Sequence, residues 1–430
     1  MTTTDPWTTT GATASKDTDD PTAEFGAKYN PFDPGFINDP GQVYQQLHSE
    51  APVCWSDAFQ SYVVTRYDDV VNIVDNPKFT SEGKDGPEPP AEVMEELAKG
   101  FMLEHMLYST DPPVHTRLRT LIQSAMPARL LPVLEAKIRE KANSVIDTFA
   151  ADGKVDLYPQ YVHPVTDTAI LDYIGVPRED QAEVMGWHKT WESLFIPGAE
   201  PDELRNSTRN VVGYQHYLHD LVQKRRTDPR DDVATGFARA SSERIDDYEP
   251  LSEGEVVWGL IEVIGAAGNT TYGMANVLFR LLQNQDNWNA LLTDRGLLDG
   301  AVEEGLRVES PVLGCARETT TEVELGGVKL PAGAPVLISF AAANLDQQAF
   351  AEAGEFDLAR KNAARQVTLG RGGHYCIGAR VGRLMIKTAA DVLLDRLPTA
   401  RFVEGYVPEF YAPFPFLRCV ASLPVQWNGS

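Results

Sequence analysis

The sequence predicts a mainly α-helical protein with a smaller β portion, and three observations carry that expectation. Several long stretches repeat apolar residues at three- and four-residue spacing, as helices with one buried face require. Shorter stretches alternate, or are cut by Gly and Pro turns, as strands are. The chain has 430 residues, 43% of them apolar and 23% charged, which is ample for a core that encloses a cofactor.

Taken in order, residues 1–29 hold nine threonines and several acids and read as a disordered tail, with a small ordered arm as the alternative. Globular sequence opens at Tyr29-Asn30-Pro31, and no linker or repeat divides the stretch 30–430, which reads as one domain. Gln60–Arg66 alternates as a strand, and Ser81–Pro90, rich in Gly, Pro and charge, reads as an exposed loop. Helices are expected over His115–Met126, Pro132–Ala150, Asn210–Arg226 and Glu253–Gln285. Between Val323 and Phe340 the pattern becomes short strands with turns at Gly326-Gly327 and Pro331-Ala332-Gly333. A helix restarts at about Gly378, and the last thirty residues are strand-like, with prolines at 408, 413, 415 and 424.

Charge and composition exclude several classes of function. The balance of 38 basic against 62 acidic residues gives a net charge of −24, which repels nucleic acid. The most apolar stretch, Val256–Gly268, is interrupted by Glu262 and is too short to span a bilayer. The N-terminus has no charged-then-apolar export signal, and Cys54, Cys315, Cys376 and Cys419 are too scattered for a disulfide framework. A cytoplasmic protein is expected.

The most informative stretch is Leu369-Gly-Arg-Gly-Gly-His-Tyr-Cys-Ile-Gly378. Gly370, Gly372 and Gly373 permit a tight backbone path, and Cys376 precedes a helix start, where N–H groups and the dipole stabilise a thiolate. Such a thiolate suits an axial ligand of haem iron. A structural cysteine in a glycine-rich turn and a cysteine nucleophile are the alternatives, although no partner triad accompanies the latter. Upstream, Glu304-Gly-Leu-Arg307 places an acid and a base on one helical face, a pattern that also occurs as a surface salt bridge. Asp111-Pro-Pro-Val-His-Thr-Arg-Leu-Arg119 opens a helix with His115 and Arg119 on one face.

These motifs, with Pro331-Ala-Gly333 and Phe356-Asp-Leu-Ala-Arg360, occur in an order that resembles a bacterial cytochrome P450 over roughly residues 30–428. The resemblance implies the P450 fold, a helical body enclosing haem b. By it, Cys376 matches the thiolate ligand of the iron, and His115, Arg119, Arg317 and His374 match the groups that bind the propionates. Glu304, Arg307 and Arg360 match a structural network behind the haem. Leu369 departs from the usual aromatic residue, which bears on the reduction potential.

The helix over 253–285 contains Gly265-Ala-Ala-Gly-Asn-Thr-Thr271, where the family carries an acid–threonine pair that relays protons to dioxygen. Thr270 retains the alcohol. Asn269 stands in the acid position and cannot titrate, and Ala267 replaces a common glycine. Glu262 and Ala266 precede Thr270 at steps of four, which puts Ala266 toward the ligand cavity and Glu262 at its rim. There Glu262 either binds a polar substrate group, feeds a water chain or pairs with an arginine. The resemblance adds Val312, Leu313, the loop from Met102 to Leu107, and Phe414 to Phe416 as pocket walls, with Phe414 and Phe416 suited to an aromatic ring. His216-x-x-His219 reads as a solvated helix face, because no third metal ligand is apparent.

The implied activity is that of a monooxygenase. It takes O2 and two electrons from a separate ferredoxin and ferredoxin reductase, and hydroxylates or oxidatively O-dealkylates a small hydrophobic, aromatic substrate. Asn269 motivates one other reading, a peroxide-driven or nitric-oxide-handling enzyme, and a non-enzymatic haem-based sensor stands as a further alternative.

Overall fold

The computed structural model describes residues 22–83, 91–193 and 201–428. They form two compact units, each assembled from separated stretches of chain: 91–137 with 167–268, and 22–83 with 138–166 and 269–428. The first unit is helical, and the strands all belong to the second.

Most expected elements form close to their expected bounds. Val114–Ala125 is a helix because Leu118, Leu121, Ile122 and Ala125 supply one continuous buried face. Its end packs backbone to backbone on the helix Val233–Ala240, where a Cβ on Gly236 would come within 2.3 Å of the Ala125 carbonyl oxygen. The helices Leu131–Asp147, Pro201–Thr227 and Ala379–Arg396 follow the apolar periodicity. His163–Ile174 and Gln181–Ser193 are further helices that the sequence reading did not single out, and Leu298–Val308 is the helix that carries Glu304 and Arg307.

The helix Glu253–Gln283 belongs to the first unit up to Gly268 and to the second from Asn269. Its two ends are buried, but residues 265–270 in the middle are not, and Ala266 is exposed. A mid-helix stretch open on an otherwise buried element borders empty space.

In the second unit, five strands pair in the order Val53–Ser56, Ser61–Val64, Pro335–Ile338, Cys315–Thr319 and Phe79–Thr80. All pairings are antiparallel except Ser61–Val64 with Pro335–Ile338. Val323–Leu325 and Val328–Leu330 form a hairpin whose turn, Gly326-Gly327, takes φ values of 57° and 81°, the pair of left-handed positions a tight two-residue turn requires.

The tail expected over 1–29 lies outside the described residues as far as 21. From Thr22 onward the expectation is corrected, because the chain there is tied down. Ala23–Gly26 is a short helix, and a Cβ on Gly26 would meet the Trp55 carbonyl oxygen at 1.8 Å. Tyr29 is fully buried beside the rings of Phe36, Tyr44 and Phe59, with its hydroxyl 2.8 Å from Ser339 Oγ. Aromatic anchors outweigh the polar composition around them. Of the loop expected over Ser81–Pro90, residues 84–90 lie outside the described residues.

Candidate functional site

The loop before the helix Ala379–Arg396 is held by its own backbone. Gly370 N donates to Val367 O at 2.8 Å, Tyr375 N to Gly372 O at 3.1 Å, and Cys376 N to Leu369 O at 2.8 Å. Gly370 and Gly372 have φ of 69° and 62°, so both stand where a side chain would be strained. Asp75 fastens the loop from outside. Its Oδ1 accepts from Gly373 N at 2.8 Å, and a Cβ on Gly372 would lie 2.0 Å from the same carboxylate. Cys376 is half-buried, and its Sγ lies 3.9 Å from where a Gly378 Cβ would stand, beside the helix N-terminus. No disulfide forms among the described residues.

Behind the loop lies a buried charge network. Glu304 accepts Arg307 Nε at 2.7 Å, Arg307 Nη2 at 2.8 Å and Arg360 Nε at 2.8 Å, and it also receives Asp357 N at 3.1 Å. Arg307 and Glu304 are wholly inaccessible to solvent. The remaining guanidinium donors reach the carbonyls of Asn344, Ala353 and Glu355, so the network is saturated. It ties the helix Leu298–Val308 to the segment 351–360. A second buried cluster, in which Glu309 lies between Arg280 and Arg418, was not foreseen. Burial alone would raise the Glu309 carboxyl; Arg418 and Arg280 instead hold it below its ordinary value.

Arg317 projects from the strand Cys315–Thr319 and is buried, yet it has no carboxylate partner among the described residues. Its Nη1 reaches only the Ala316 carbonyl at 2.8 Å and Cys315 Sγ at 3.4 Å. His374 in the cysteine loop has Nε2 3.2 Å from Ser81 Oγ. His115 and Arg119 lie one turn apart on the helix Val114–Ala125 in the other unit, His115 buried and Arg119 half-buried.

The two adjacent threonines of the long helix have different surroundings. Thr271 is buried and hydrogen-bonded to Thr166 at 2.7 Å. Thr270 and Asn269 are half-buried, and neither makes a side-chain hydrogen bond to a described residue. Gly268 beside them has nothing within 4 Å of a hypothetical Cβ. The uncommitted amide and hydroxyl therefore border the open middle of the helix.

The family model of cytochrome P450 matches the chain over residues 280–398. Cytochrome P450 107B1 of Saccharopolyspora erythraea is 32% identical over 407 residues, covering 92% of this chain and 96% of that protein. The cytochrome P450 monooxygenase PikC of Streptomyces venezuelae is 30% identical, covering 91% of this chain and 92% of that protein. The chain belongs to the cytochrome P450 family. Among solved structures, cytochrome P450 CREJ in complex with (4-ethylphenyl) dihydrogen phosphate aligns at a TM-score of 0.82 and 26% identity, covering 94% of this chain and all of that one.

This P450 is accordingly an oxidoreductase of the haem-thiolate monooxygenase class, with haem as its cofactor. The residues fit that group. Arg317 is a buried cation awaiting an anion, Cys376 is a thiol at a helix N-terminus, and the helix over 265–270 leaves space beside Thr270. No helix among the described residues is long and apolar enough to cross a membrane.

Glu262 has no arginine partner. Its Oε2 accepts Leu107 N at 3.0 Å, and the Tyr108 amide also donates to it. Burial pushes its pKa up to about 7, against the pull of those amides. The loop thus follows the helix tooth by tooth. Glu104 meets Ser252 Oγ at 3.0 Å, the Phe101 carbonyl accepts Trp258 Nε1 at 2.8 Å, and Glu262 holds Leu107.

Among the expected pocket walls, Leu313 is corrected. It is fully buried in a core with Tyr29, Phe36, Leu47 and Leu337, because neighbours in an extended segment point to opposite sides. Val312 is half-buried, as are Phe414 and Phe416, and Phe416 packs on Phe59 at 5.3 Å. His216 and His219 both lie against the Phe101 ring, at 5.6 and 4.9 Å between centroids, and no metal-type cluster forms among the described residues. Two site-shaping features escaped the sequence reading. One is Asp75, 298 residues from the glycine it holds. The other is Arg383, which pairs with Glu303 and donates to the hydroxyl of Tyr375, next to Cys376, at 2.7 Å.

Proposed function

We propose that this P450 draws electrons from a separate ferredoxin and ferredoxin reductase and hydroxylates, or oxidatively O-dealkylates, a small hydrophobic substrate with an aromatic portion. The observation that carries this reading is the pairing of a cysteine loop with an uncommitted Asn269-Thr270 dipeptide on a helix opened in its middle. When bound, haem supplies the chemistry that inserts one oxygen atom of O2 into a C–H bond. By the family resemblance, Cys376 Sγ would hold the iron, and Arg317, His374, His115 and Arg119 would hold the propionates. Gly370 and Gly372 shape the loop around the sulfur, and Leu369 shields it. Glu304, Arg307 and Arg360 keep the loop's support rigid.

Thr270 Oγ1 passes protons onward. Asn269 orients the water that supplies them, since an amide donates and accepts but does not titrate. Ala266 leaves room for a flat ring, with Val312, Phe414 and Phe416 as apolar walls. Arg371 and Arg380 have no ion-pair partner among the described residues and offer local positive charge to an acidic donor near Cys376. A second reading, turnover driven by peroxide or handling of nitric oxide, is favoured by Asn269 alone.

Optical titration of the ferric protein with methoxylated aromatics, terpenes, fatty acids and macrolide-like compounds tests the substrate class. A shift to high spin with methoxylated aromatics supports the reading, and a shift only with another class overturns its aromatic part. Replacing Arg371 and Arg380 with Glu should slow reduction by the ferredoxin; an unchanged rate removes them as contacts. If Thr270→Ala leaves turnover intact, the peroxide reading replaces the ferredoxin one.

A further inference from the structure

A buried carboxylate is ordinarily matched by a cation. Glu255 faces Arg117 at 2.6 Å, Glu304 faces two guanidiniums, and Glu309 faces two more. Buried Asp346 and Asp172 are exceptions to the rule, held by amide donors of Tyr67, Gln348 and Gln181. Glu262 departs from it as well. Its partners are the amides of Leu107 and Tyr108, and no lysine, arginine or histidine contacts it among the described residues. The side chain is half-buried rather than sealed, so part of it meets open space.

Its position decides what that space is. Residues 262 and 266 are one turn apart on the same helix face, and Ala266 is exposed although it lies mid-helix. The open region therefore begins at Ala266, one turn beyond Glu262. Tyr108 stands on the 3₁₀ turn Leu107–Ser109, 66% exposed, and the charge of Glu262 acts on its phenol. A carboxylate beside an accessible aromatic ring, one turn from an exposed alanine, is a constellation suited to a substituted ammonium group. The charge supplies attraction, and the ring face supplies cation–π contact. The chain's net charge of −24 favours approach of cations to any such site.

We propose that Glu262, with Tyr108, selects substrates in which an apolar body carries a positively charged nitrogen, anchoring that nitrogen while the apolar end extends past Ala266. The proposal rests on the monooxygenase reading and narrows its substrate class. It also assigns the unmatched carboxylate a role: the missing cation arrives with the substrate. The desolvation that pushes Glu262 upward is relieved when a cation binds.

The test compares two probes of equal shape on the haem-loaded full-length protein, an alkylarene ending in a trimethylammonium group and its neutral tert-butyl isostere. A quaternary nitrogen has no lone pair, so neither probe can ligate iron through it. Affinity is read by equilibrium dialysis and by the ferric spin-state shift. The expected result is about tenfold tighter binding of the ammonium probe by wild type at pH 8, a modest fraction of a close charge pair's attraction. In Glu262→Gln that preference falls to near parity while the neutral probe's affinity stays within about twofold. Parity in wild type overturns the proposal without any variant, and so does a preference that survives Glu262→Gln. Tyr108→Leu supplies a second variant, expected to lower the preference about threefold. A wild-type protein lacking a thiolate-type carbon monoxide spectrum instead brings down the monooxygenase reading itself.

Discussion

The hydroxyls of Thr166 and Thr271 lie 2.7 Å apart in the buried wall behind the long helix, and this bond distinguishes two adjacent threonines. Thr166 Oγ1 also donates to the backbone, where the Val162 and His163 carbonyls lie 2.9 and 3.2 Å away, so in the threonine pair it accepts from the Thr271 hydroxyl. Thr271→Ala should cost about 1–2 kcal/mol of stability, the usual loss for a buried hydrogen bond, and leave coupling of electrons to product unchanged. Thr270→Ala should do the reverse, with stability within about 0.5 kcal/mol of wild type and severalfold more peroxide released per electron. Denaturant midpoints and peroxide assays on both variants check the pair.

Breaking the Glu304 network should be severe. Glu304→Gln leaves Arg307 and Arg360 as buried cations without their shared anion, at a cost of about 3–5 kcal/mol. Little folded, haem-loaded protein should accumulate. Arg360→Lys keeps the charge but loses the fork that also reaches the Ala351 and Glu352 carbonyls, and should cost less, about 1–2 kcal/mol. Urea denaturation of the two variants orders them.

Two groups give opposite pH slopes in one unit. Glu262 rises from its ordinary 4.5 to about 7, so the folded state binds the extra proton between those values and stability falls as pH rises through them. His188, lowered from 6.5 to about 4 by burial and by Lys189, is protonated more readily when unfolded, so stability rises with pH across that range. Each is worth up to about 3 kcal/mol, and in wild type they largely cancel between pH 4.5 and 6.5. Glu262→Gln should unmask the histidine, giving Tm values that climb from pH 4.5 to 6.5; a flat profile in that variant counts against the assignment.

Removing the cofactor should separate two effects of Arg317. With no carboxylate partner, its buried guanidinium adds little to the fold of the apoprotein, so Arg317→Leu should leave apoprotein stability unchanged or raise it by about 1 kcal/mol. The same variant should lose haem at least about tenfold faster to a scavenging apoprotein, because a charge-assisted contact has gone. Apo and holo denaturation, with haem-transfer rates, decide this.

The readable part of the site was local. The cysteine loop, Glu304 with Arg307, and the Asn269-Thr270 dipeptide each occupy one short stretch, where spacing alone puts side chains on one face. The unreadable part depends on tertiary meetings. Asp75 ends the helix Tyr67–Val74 as an ordinary acidic residue until the fold places it under Gly372 and Gly373. Leu313 was misplaced because a strand-like segment alternates sides and only the structure fixes the phase. Tyr29 was read as the start of the globular part, but the short helix Ala23–Gly26 before it was hidden by threonine-rich neighbours, since composition averages over so few residues. Glu262 stood out in the sequence as an acid within an apolar helix, but its amide partners were not legible, because backbone donors leave no mark in a sequence.

The parallel pairing of Ser61–Val64 with Pro335–Ile338 constrains the order in which this protein can be born. On a ribosome adding about 5–20 residues per second, strand Ser61–Val64 waits roughly 15–55 s for its partner to be synthesised. Neither compact unit is a continuous stretch: the first can close once residue 268 has emerged, whereas the second must wait for the strand at 424–426. Cys376 emerges after Ser61–Val64 and Pro335–Ile338, so haem can be held through it only after both of those strands have been made. During that interval an unpaired strand edge stands open to other chains. Yield in a foreign host should accordingly depend on growth temperature and holdase supply more than on the stability of the finished enzyme.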